Sequence, residues 1–245
     1  MLEIFNEDCI PGAKEHFEDN SVDLIVCDPP FGIGGVDLDV MYHRKKESLI
    51  HGYKEQSLNE KEYQAWTFDW VSQAKRILKP NGAMYVFSSW SKYDLLRNVV
   101  SDLKLYIINE IIWKYNFGVY TKNKYVTSHY PILYLKKDKK EKHTFNRECR
   151  YKDADKDDRG SVQYRDREDV WTINREYHPG EKKNVNKLPD EIVRKMIQYS
   201  SNPGDKVCDF FLGNFTTVKV AKELGRIPSG FEINKESFEY FKDKY

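Results

Sequence analysis

The sequence predicts an α/β fold, in which helices cover both faces of a mostly parallel sheet. Short apolar runs alternate with amphipathic stretches along the 245 residues, which is the pattern of strands that are each followed by a helix. The run Leu24–Cys27 is continuously apolar. Such a run is typical of a strand buried on both faces, as the strands of a parallel sheet are.

The predicted elements follow one another along the chain. Apolar side chains recur at helical spacing over residues 63–78, 95–103 and 192–197, and a further helix is expected to start near Thr216. Lys79-Pro80-Asn81-Gly82 carries the residues that end helices, so the first of these helices is expected to stop there. The predicted strands are Leu2–Asn6, Val22–Cys27, Ala83–Phe87, Tyr106–Trp113, Pro131–Leu135, Lys206–Phe210 and Ile227–Phe231.

Two stretches interrupt the alternation and predict the domain organisation. Residues 32–59 are polar and punctuated by glycine, so we expect 36–59 to form a mobile loop within the main domain. The stretch Lys136–Asp169 is dense in charge and poor in aliphatic residues. We therefore predict one main domain, residues 1–135 and 169–245, that carries a small inserted region at 136–168.

Composition limits the class of protein. The chain is 40% hydrophobic, enough for a sizeable core. It has no apolar run long enough to cross a bilayer, and its first eight residues lack the basic and apolar regions of a signal peptide. The cysteines have no CxxC spacing; they are Cys9, Cys27, Cys149 and Cys208. We expect reduced thiols in an intracellular protein, with no disulfide and no bound metal.

The charge of the chain is unevenly distributed. The formal net charge is only +1. The segment Lys114–Arg167 nevertheless holds 15 basic and 8 acidic residues, whereas the rest holds 25 basic and 31 acidic residues. A basic segment on an acidic body predicts a surface for nucleic-acid phosphates. A solvated, lysine-rich hairpin would have the same composition.

The motif Asp28-Pro29-Pro30-Phe31 directly follows the predicted buried strand. Sites in open α/β sheets form at the carboxyl ends of strands. Consecutive prolines stiffen the backbone and leave their carbonyls free as acceptors. A carboxylate, these carbonyls and an aromatic ring together can accept hydrogen bonds from an amine while stacking on a planar ring. An ordinary strand-to-loop turn is the alternative interpretation.

A second motif lies near the end of the chain. Residues 206–217 predict a strand, a turn that contains Gly213, and the start of a helix, an arrangement that lets a ligand approach the backbone closely. Asp209 is acidic where a phosphate-binding loop would be basic or neutral, so a ligand that bears an amine fits better than a nucleoside triphosphate. Glu232 ends the next strand, 19 residues after Gly213, a spacing typical of an acid that binds ribose hydroxyls.

The two motifs together resemble a known family, the DNA amino-methyltransferases. Asp28–Phe31 resembles their catalytic motif (D/N/S)PP(Y/F/W), and Asp209–Thr217 resembles their S-adenosylmethionine loop, D-P-F-x-G-S-G-T-T. The catalytic motif comes first here, an order characteristic of the permuted β class. The resemblance covers nearly the whole chain except 35–59 and 137–168. It implies a Rossmann-like methyltransferase sheet, with permuted motif order and a small inserted recognition region.

The resemblance implies roles for particular residues. Catalysis is expected of Asp28, Pro29, Pro30 and Phe31. The chain departs from the family's cofactor loop at Phe210, Asn214 and Phe215, which replace a proline, a serine and a glycine. Binding of S-adenosyl-L-methionine is expected of Asp8, Cys9, Asp28, Lys187, Asp209, Phe210, Phe211, Leu212, Gly213, Asn214, Thr216 and Glu232.

The implied activity is direct methyl transfer to N6 of adenine in double-stranded DNA, after extrusion of the base from the stack. RNA adenosine methylation, N4-cytosine methylation and an inactive nucleic-acid-binding relative remain open alternatives. The chain contains no Pro-Cys dipeptide, which argues against 5-methylcytosine chemistry. The small insert suggests a short target sequence or help from a second subunit, and a restriction-modification role is one possibility. DNA contacts are expected of Trp113, Lys114, Arg147, Arg150, Arg159, Arg165 and Arg167.

Overall fold

The computed structural model describes residues 3–32, 58–116, 118, 120, 122–176 and 187–245. Its strands are β1 (Glu3–Phe5), β2 (Val22–Cys27), β3 (Leu78–Phe87), β4 (Tyr106–Lys114), β5 (His129–Lys136), β6 (Lys156–Asp157), β7 (Gly160–Ser161), β8 (Val170–Thr172), β9 (Lys206–Asp209) and β10 (Ile227–Phe231). Its helices are α1 (Cys9–His16), α2 (Glu60–Ile77), α3 (Tyr93–Asp102), α4 (Val162–Asp166), α5 (Asp190–Ser200), α6 (Thr216–Glu223) and α7 (Lys235–Lys242).

Eight of these strands form one sheet in the order β1-β10-β9-β2-β3-β5-β4-β8. Five neighbouring strands run parallel to one another, namely β1, β10, β9, β2 and β3, and β5 runs antiparallel to both of its neighbours. The chain leaves β2 toward β3 on one side and leaves β9 toward β10 on the other. The strand order therefore reverses between β2 and β9, and their carboxyl ends face the crevice where α/β sheets bind ligands.

The core lies on both faces of this sheet. Ile25 and Cys27 pack with α1, α2 and α3, whereas Leu24 and Val26 pack with α5 and α6. All four side chains are fully buried, and burial of each larger aliphatic one stabilises the fold by about 1.5–3 kcal/mol. The predicted α/β class, with helices on both faces, is confirmed.

The start of β3 differs from the sequence prediction. The helix α2 ends at Ile77 and the strand begins at the next residue, five positions before Ala83. Val22 pairs with Leu78 and Leu24 pairs with Ala83, so the intervening residues bulge out of the ladder. The Lys79 ammonium pairs with the Asp23 carboxylate at 2.6 Å across this bulge. The helix therefore ends just before residues 79–82, as expected. These four residues belong to β3, where they form the bulge, and not to a separate turn.

The inserted region packs against the main domain. It contains the β6–β7 hairpin and α4, and the chain then adds β8 to the sheet beside β4. The Asp166 carboxylate accepts hydrogen bonds from Arg150 at 2.9 Å and from the Tyr199 hydroxyl at 2.6 Å. These contacts fix the insert to α5.

The predicted mobile loop at 36–59 lies outside the described residues, except for its last two. None of the described helices is long and apolar enough to cross a membrane.

Candidate active site

A cavity of about 690 Å³ opens at the carboxyl ends of β2, β9 and β10. It brings together the two motifs that lie at opposite ends of the chain. The sequence-predicted site residues that line it are Asp8, Cys9, Asp28, Pro29, Pro30, Phe31, Trp113, Asp209, Phe210, Phe211, Leu212, Gly213, Asn214, Thr216 and Glu232.

Strand pairing places Asp28 and Asp209 at the same edge of the sheet. Ile25 lies opposite Cys208 in the parallel ladder between β2 and β9, so the residues at the ends of both strands enter one crevice. Pro29 is buried and Phe31 is half-buried. The stiff proline pair thus presents the Asp28 carboxylate and the Phe31 ring at a fixed position on the cavity wall.

Asp209 organises the loop that follows β9. One carboxylate oxygen accepts from the Phe211 backbone N–H at 2.9 Å, and the other accepts from the Thr217 hydroxyl at 2.6 Å. Burial raises the pKa of Asp209 to about 6, while these two hydrogen bonds act in the opposite direction. The carboxylate therefore closes the turn onto the first residues of α6 and lines the cavity at the same time.

The departures from the family's loop have a structural explanation at Phe215. Its backbone is left-handed, with φ of +56°, the conformation that a glycine adopts without strain. The strain for a non-glycine residue is about 1–2 kcal/mol. The ring is fully buried against Leu212, Val218 and Phe241, a burial that stabilises by about as much or more. Phe210 likewise fills the core, with its ring 5.6 Å from that of Phe231.

Glu232 joins the end of β10 to the same loop. Its carboxylate accepts from the backbone N–H of Gly213 at 2.6 Å and from that of Asn234 at 2.7 Å. Burial raises its pKa to about 7, which the two backbone hydrogen bonds partly offset. Asp8 lies nearby as the N-cap of α1, where its carboxylate accepts from the Ile10 N–H at 2.7 Å. Each of these acids is held by backbone donors, so its position is fixed before a ligand binds.

The opposite end of the cavity is aromatic. The Phe31 ring lies 5.5 Å from the Tyr130 ring, which lies 5.9 Å from the Trp113 ring. The Arg175 guanidinium also lines this end. Burial raises the pKa of Tyr130 to about 12, although Arg175 acts to lower it. A planar, uncharged ring is the ligand that such a wall accommodates.

The remaining predicted residues lie away from the cavity wall. The Lys187 side chain pairs with Glu176 at 3.6 Å and with Asp190 at 3.7 Å. Lys114 is exposed at the end of β4. The Arg150 side chain is only 12% exposed and pairs with Asp166 and Glu191.

The other insert arginines lie nearer to solvent. Arg147 pairs with Asp153 on the surface, and Arg165 pairs with Asp157. The Arg159 side chain is 75% exposed and lies 4.0 Å from Asp157. Arg167 donates to the Gln163 side chain at 3.0 Å. Of the three arginines paired with aspartates, Arg159 is the most exposed.

Several lining residues were not singled out from the sequence. Trp66 and Glu62 belong to α2, whose periodic side chains indicate only a core face. Tyr130 and Arg175 lie at the margins of β5 and β8, and no local motif marks them. Tyr130 and Arg175 are far apart in the sequence, and only the pairing of β4 with β5 and β8 brings them together.

The cavity suits the cofactor that the motifs imply. The Phe210, Phe211 and Leu212 segment offers an apolar wall for a purine ring, and Glu232 offers carboxylate oxygens for ribose hydroxyls. The lining carboxylates complement the positive charge of a sulfonium and an amine. Burial raises the pKa of two of them, Asp209 and Glu232, and an opposite charge nearby favours the charged form of such an acid.

Comparison with known proteins gives one family. A family model described as DNA methylase matches residues 22–243. The type II methyltransferase M.HpaI of Haemophilus parainfluenzae is 31% identical over 95% of this chain and 70% of its own length. The DNA adenine methyltransferase YhdJ of Escherichia coli (strain K12) is 32% identical over 88% of this chain and 73% of its own.

Solved structures share the fold. The M1.HpyAVI complex with SAM superposes with a TM-score of 0.66 at 21% identity and covers the whole of both chains. The PvuII DNA methyltransferase, titled cytosine-N4-specific, superposes with a TM-score of 0.72 at 17% identity, over 94% of this chain and 81% of its own.

Proposed function

The chain belongs to the DNA methylase family, and from that premise we propose that it transfers a methyl group to N6 of adenine at a specific site in DNA. The resemblance seen in the sequence motifs is thereby confirmed at the level of the family. The protein is an S-adenosylmethionine-dependent DNA methyltransferase. The choice of adenine rests on Asp28, which opens the catalytic motif, and on the relatives, since YhdJ is named an adenine enzyme.

One observation carries the mechanism most directly. Asp28–Phe31 and Asp209–Gly213 line a single cavity at the reversal of strand order. A site for the methyl donor and a site for the methyl acceptor therefore share one space. Most of the rate enhancement in such an arrangement comes from the alignment of two bound reactants.

We assign the cofactor to the end of the cavity formed by β9 and β10. S-adenosylmethionine supplies a methyl group activated by its sulfonium. Glu232 accepts from the ribose hydroxyls, Phe211 contacts the adenine ring, and Asp8 binds the polar edge of the nucleoside. Asp209 holds the turn in shape through Phe211 and Thr217.

We assign the acceptor base to the aromatic end. Phe31 stacks on the extruded adenine, and Asp28 and the Pro29 carbonyl accept hydrogen bonds from its exocyclic amine. These contacts would turn the nitrogen lone pair toward the cofactor end of the cavity. S-adenosylmethionine held there would supply the methyl group and leave as the neutral thioether, and a carboxylate oxygen of Asp28 would accept the proton that the amine releases. No covalent bond between enzyme and base is needed.

We place target recognition in the insert, residues 136–168, as a region within the catalytic domain. Arg159 is more exposed than Arg147 and Arg165, which lie on the same surface segment. Arg150 instead fixes the insert to α5. A small insert of this kind reads a short sequence, and a second subunit would extend the contact. Size-exclusion chromatography of the protein with and without DNA tests that point.

The decisive experiment supplies labelled S-adenosylmethionine and unmethylated genomic DNA to the protein, followed by nucleoside mass spectrometry. N6-methyladenine is the expected product, and sequencing of the methylated positions then gives the recognition site. N4-methylcytosine would correct the base and keep the fold and the cofactor. Label on RNA alone, or no product with any nucleic acid, would overturn the proposal. Boiled protein serves as the background control.

A further inference from the structure

The Arg175 guanidinium lies in a cluster of three aromatic rings. Its central carbon is 4.7 Å from the centre of the Tyr115 ring, 5.4 Å from that of Trp113 and 5.6 Å from that of Tyr130. Cation–π contacts of this kind stabilise a guanidinium without using its N–H donors. An N–H of the guanidinium also donates to the Tyr130 hydroxyl, so the side chain is held in place by the rings and by this hydrogen bond.

The backbone before Arg175 is fixed as firmly as the side chain. The Trp113 indole donates to the Ile173 carbonyl at 2.8 Å, and the Ile173 N–H donates to the Lys114 carbonyl at 3.1 Å. These bonds tie the segment after β8 to the end of β4. Arg175 thus has a fixed position in the protein before any ligand binds.

The charge around Arg175 indicates what it binds. Among the described residues that line the cavity it is the sole lysine or arginine, and the acids there include Asp28 and Glu62. Its buried Nε–H has no hydrogen-bond acceptor, and no carboxylate in the described ranges lies within ion-pair distance of it. The hydrogen bond to Tyr130 leaves this Nε–H without an acceptor, and a guanidinium with a donor to spare is suited to an oxyanion.

We propose that Arg175 binds the backbone phosphate of the target nucleotide and so positions the extruded base on Phe31. This inference rests on the proposed function. Two oxyanions reach the cavity, the phosphate and the carboxylate of the cofactor. Arg175 lies beside Tyr130, whose ring contacts Phe31, whereas the cofactor acids lie at the ends of β9 and β10. The geometry therefore favours the phosphate, and Arg175 is a positioning residue for the acceptor.

The experiment is a double-mutant cycle on DNA affinity. The duplex carries the recognition sequence mapped from wild-type product, with an uncharged methylphosphonate in place of the phosphate on one side or the other of the target adenosine. We expect Arg175→Met to weaken binding of the normal duplex about tenfold. A methylphosphonate at one of the two positions should weaken binding by the wild-type protein by the same factor. The same methylphosphonate should cause no further loss with Arg175→Met, and Arg175→Lys should lie between.

Matched measurements separate the other outcomes. Arg97→Met removes the same charge from α3, outside the cavity, and should leave the affinity within about twofold. The proposal would be overturned if the loss caused by Arg175→Met and the loss caused by the methylphosphonate were additive at both flanking phosphates. So would a loss of affinity for S-adenosylmethionine that is absent for its decarboxylated analogue, because the oxyanion would then be the cofactor's carboxylate. If Arg175→Met does not fold, the cycle is run with Arg175→Lys. Failure of the proposed function would appear as inactive wild-type protein, whatever the Arg175 variants do.

Discussion

The two ends of the active-site cavity are built in different ways. At the cofactor end, Asp209 and Glu232 are buried carboxylates held by backbone N–H groups and a hydroxyl from one short loop. At the acceptor end, Phe31, Tyr130 and Arg175 come from separate parts of the chain and meet through ring contacts. The first end is held by directional hydrogen bonds within one short loop. The second depends on how the edge strands pair.

The largest expected effect concerns the point where the two ends meet. Asp28→Ala removes the acceptor of the amine's hydrogen bond and of its proton, so the rate of methyl transfer should fall by at least about 100-fold. Cofactor affinity should change by no more than about threefold, because the loop after β9 is untouched. Single-turnover transfer and calorimetry measure the two quantities. Wild-type turnover in this variant would contradict the role given to Asp28, and Asp28→Asn, which keeps the shape, serves as the matched comparison.

Asp209→Ala should affect the cofactor end alone. The change leaves the Phe211 N–H and the Thr217 hydroxyl without their acceptor, a loss of about 2 kcal/mol. Calorimetry should therefore show about 30-fold weaker binding of S-adenosylmethionine. Asp209→Asn keeps one acceptor oxygen and should weaken the binding of S-adenosylmethionine less. Asp205→Ala, in the turn before β9, is the control. An unchanged dissociation constant in both Asp209 variants would show that this loop does not hold the cofactor.

The same contrast explains what the sequence could predict. The cofactor end is encoded within residues 206–217 and at Glu232, so strand, turn and helix signals in one short stretch predict it. The buried strand before Asp28 is equally local. Tyr130 and Arg175 give no such signal, because their neighbourhood exists only once β4 has paired with β5 and β8. A three-residue strand such as β8 is too short to show a periodic pattern.

The recognition residues illustrate a second limit. Arg150 and Arg159 are equivalent in the sequence, since both lie in one basic segment. The structure separates them, because Arg150 meets Asp166 and Glu191 whereas Arg159 points to solvent. Charge along the chain predicts where a basic surface lies. It does not predict which members of that surface are already neutralised by acids from other elements.

The pH dependence of the two buried acids gives a smaller effect with a definite sign. Burial raises the pKa of Asp209 from 3.8 to about 6 and that of Glu232 from 4.5 to about 7. The folded cofactor-free protein then binds more protons than the unfolded chain, so these groups lower its free energy of unfolding as the pH rises from about 4 to about 7. The cationic cofactor prefers the ionised acids. Its affinity should therefore rise about tenfold between pH 6 and pH 8.

Calorimetry across this range, with denaturant unfolding of the cofactor-free protein, tests both directions. Glu232→Gln should flatten the upper part of the affinity profile, because the titrating group is gone. A cofactor affinity that is flat from pH 6 to pH 8 in the wild type would show that neither acid changes its charge there. The acceptor end provides the internal control, since DNA affinity should not follow the same profile.

The smallest expected effect lies farthest from the cavity. Arg159→Ala should weaken binding of the target duplex about threefold and lower the salt dependence of binding by about one unit of slope, because one phosphate contact is lost. Arg150→Ala should instead lower the melting temperature, since it removes the guanidinium that pairs with both Asp166 and Glu191. Fluorescence anisotropy at several salt concentrations and thermal unfolding measure the two effects. If both variants lost DNA affinity with unchanged melting temperatures, the division between an anchoring and a DNA-facing arginine would be wrong.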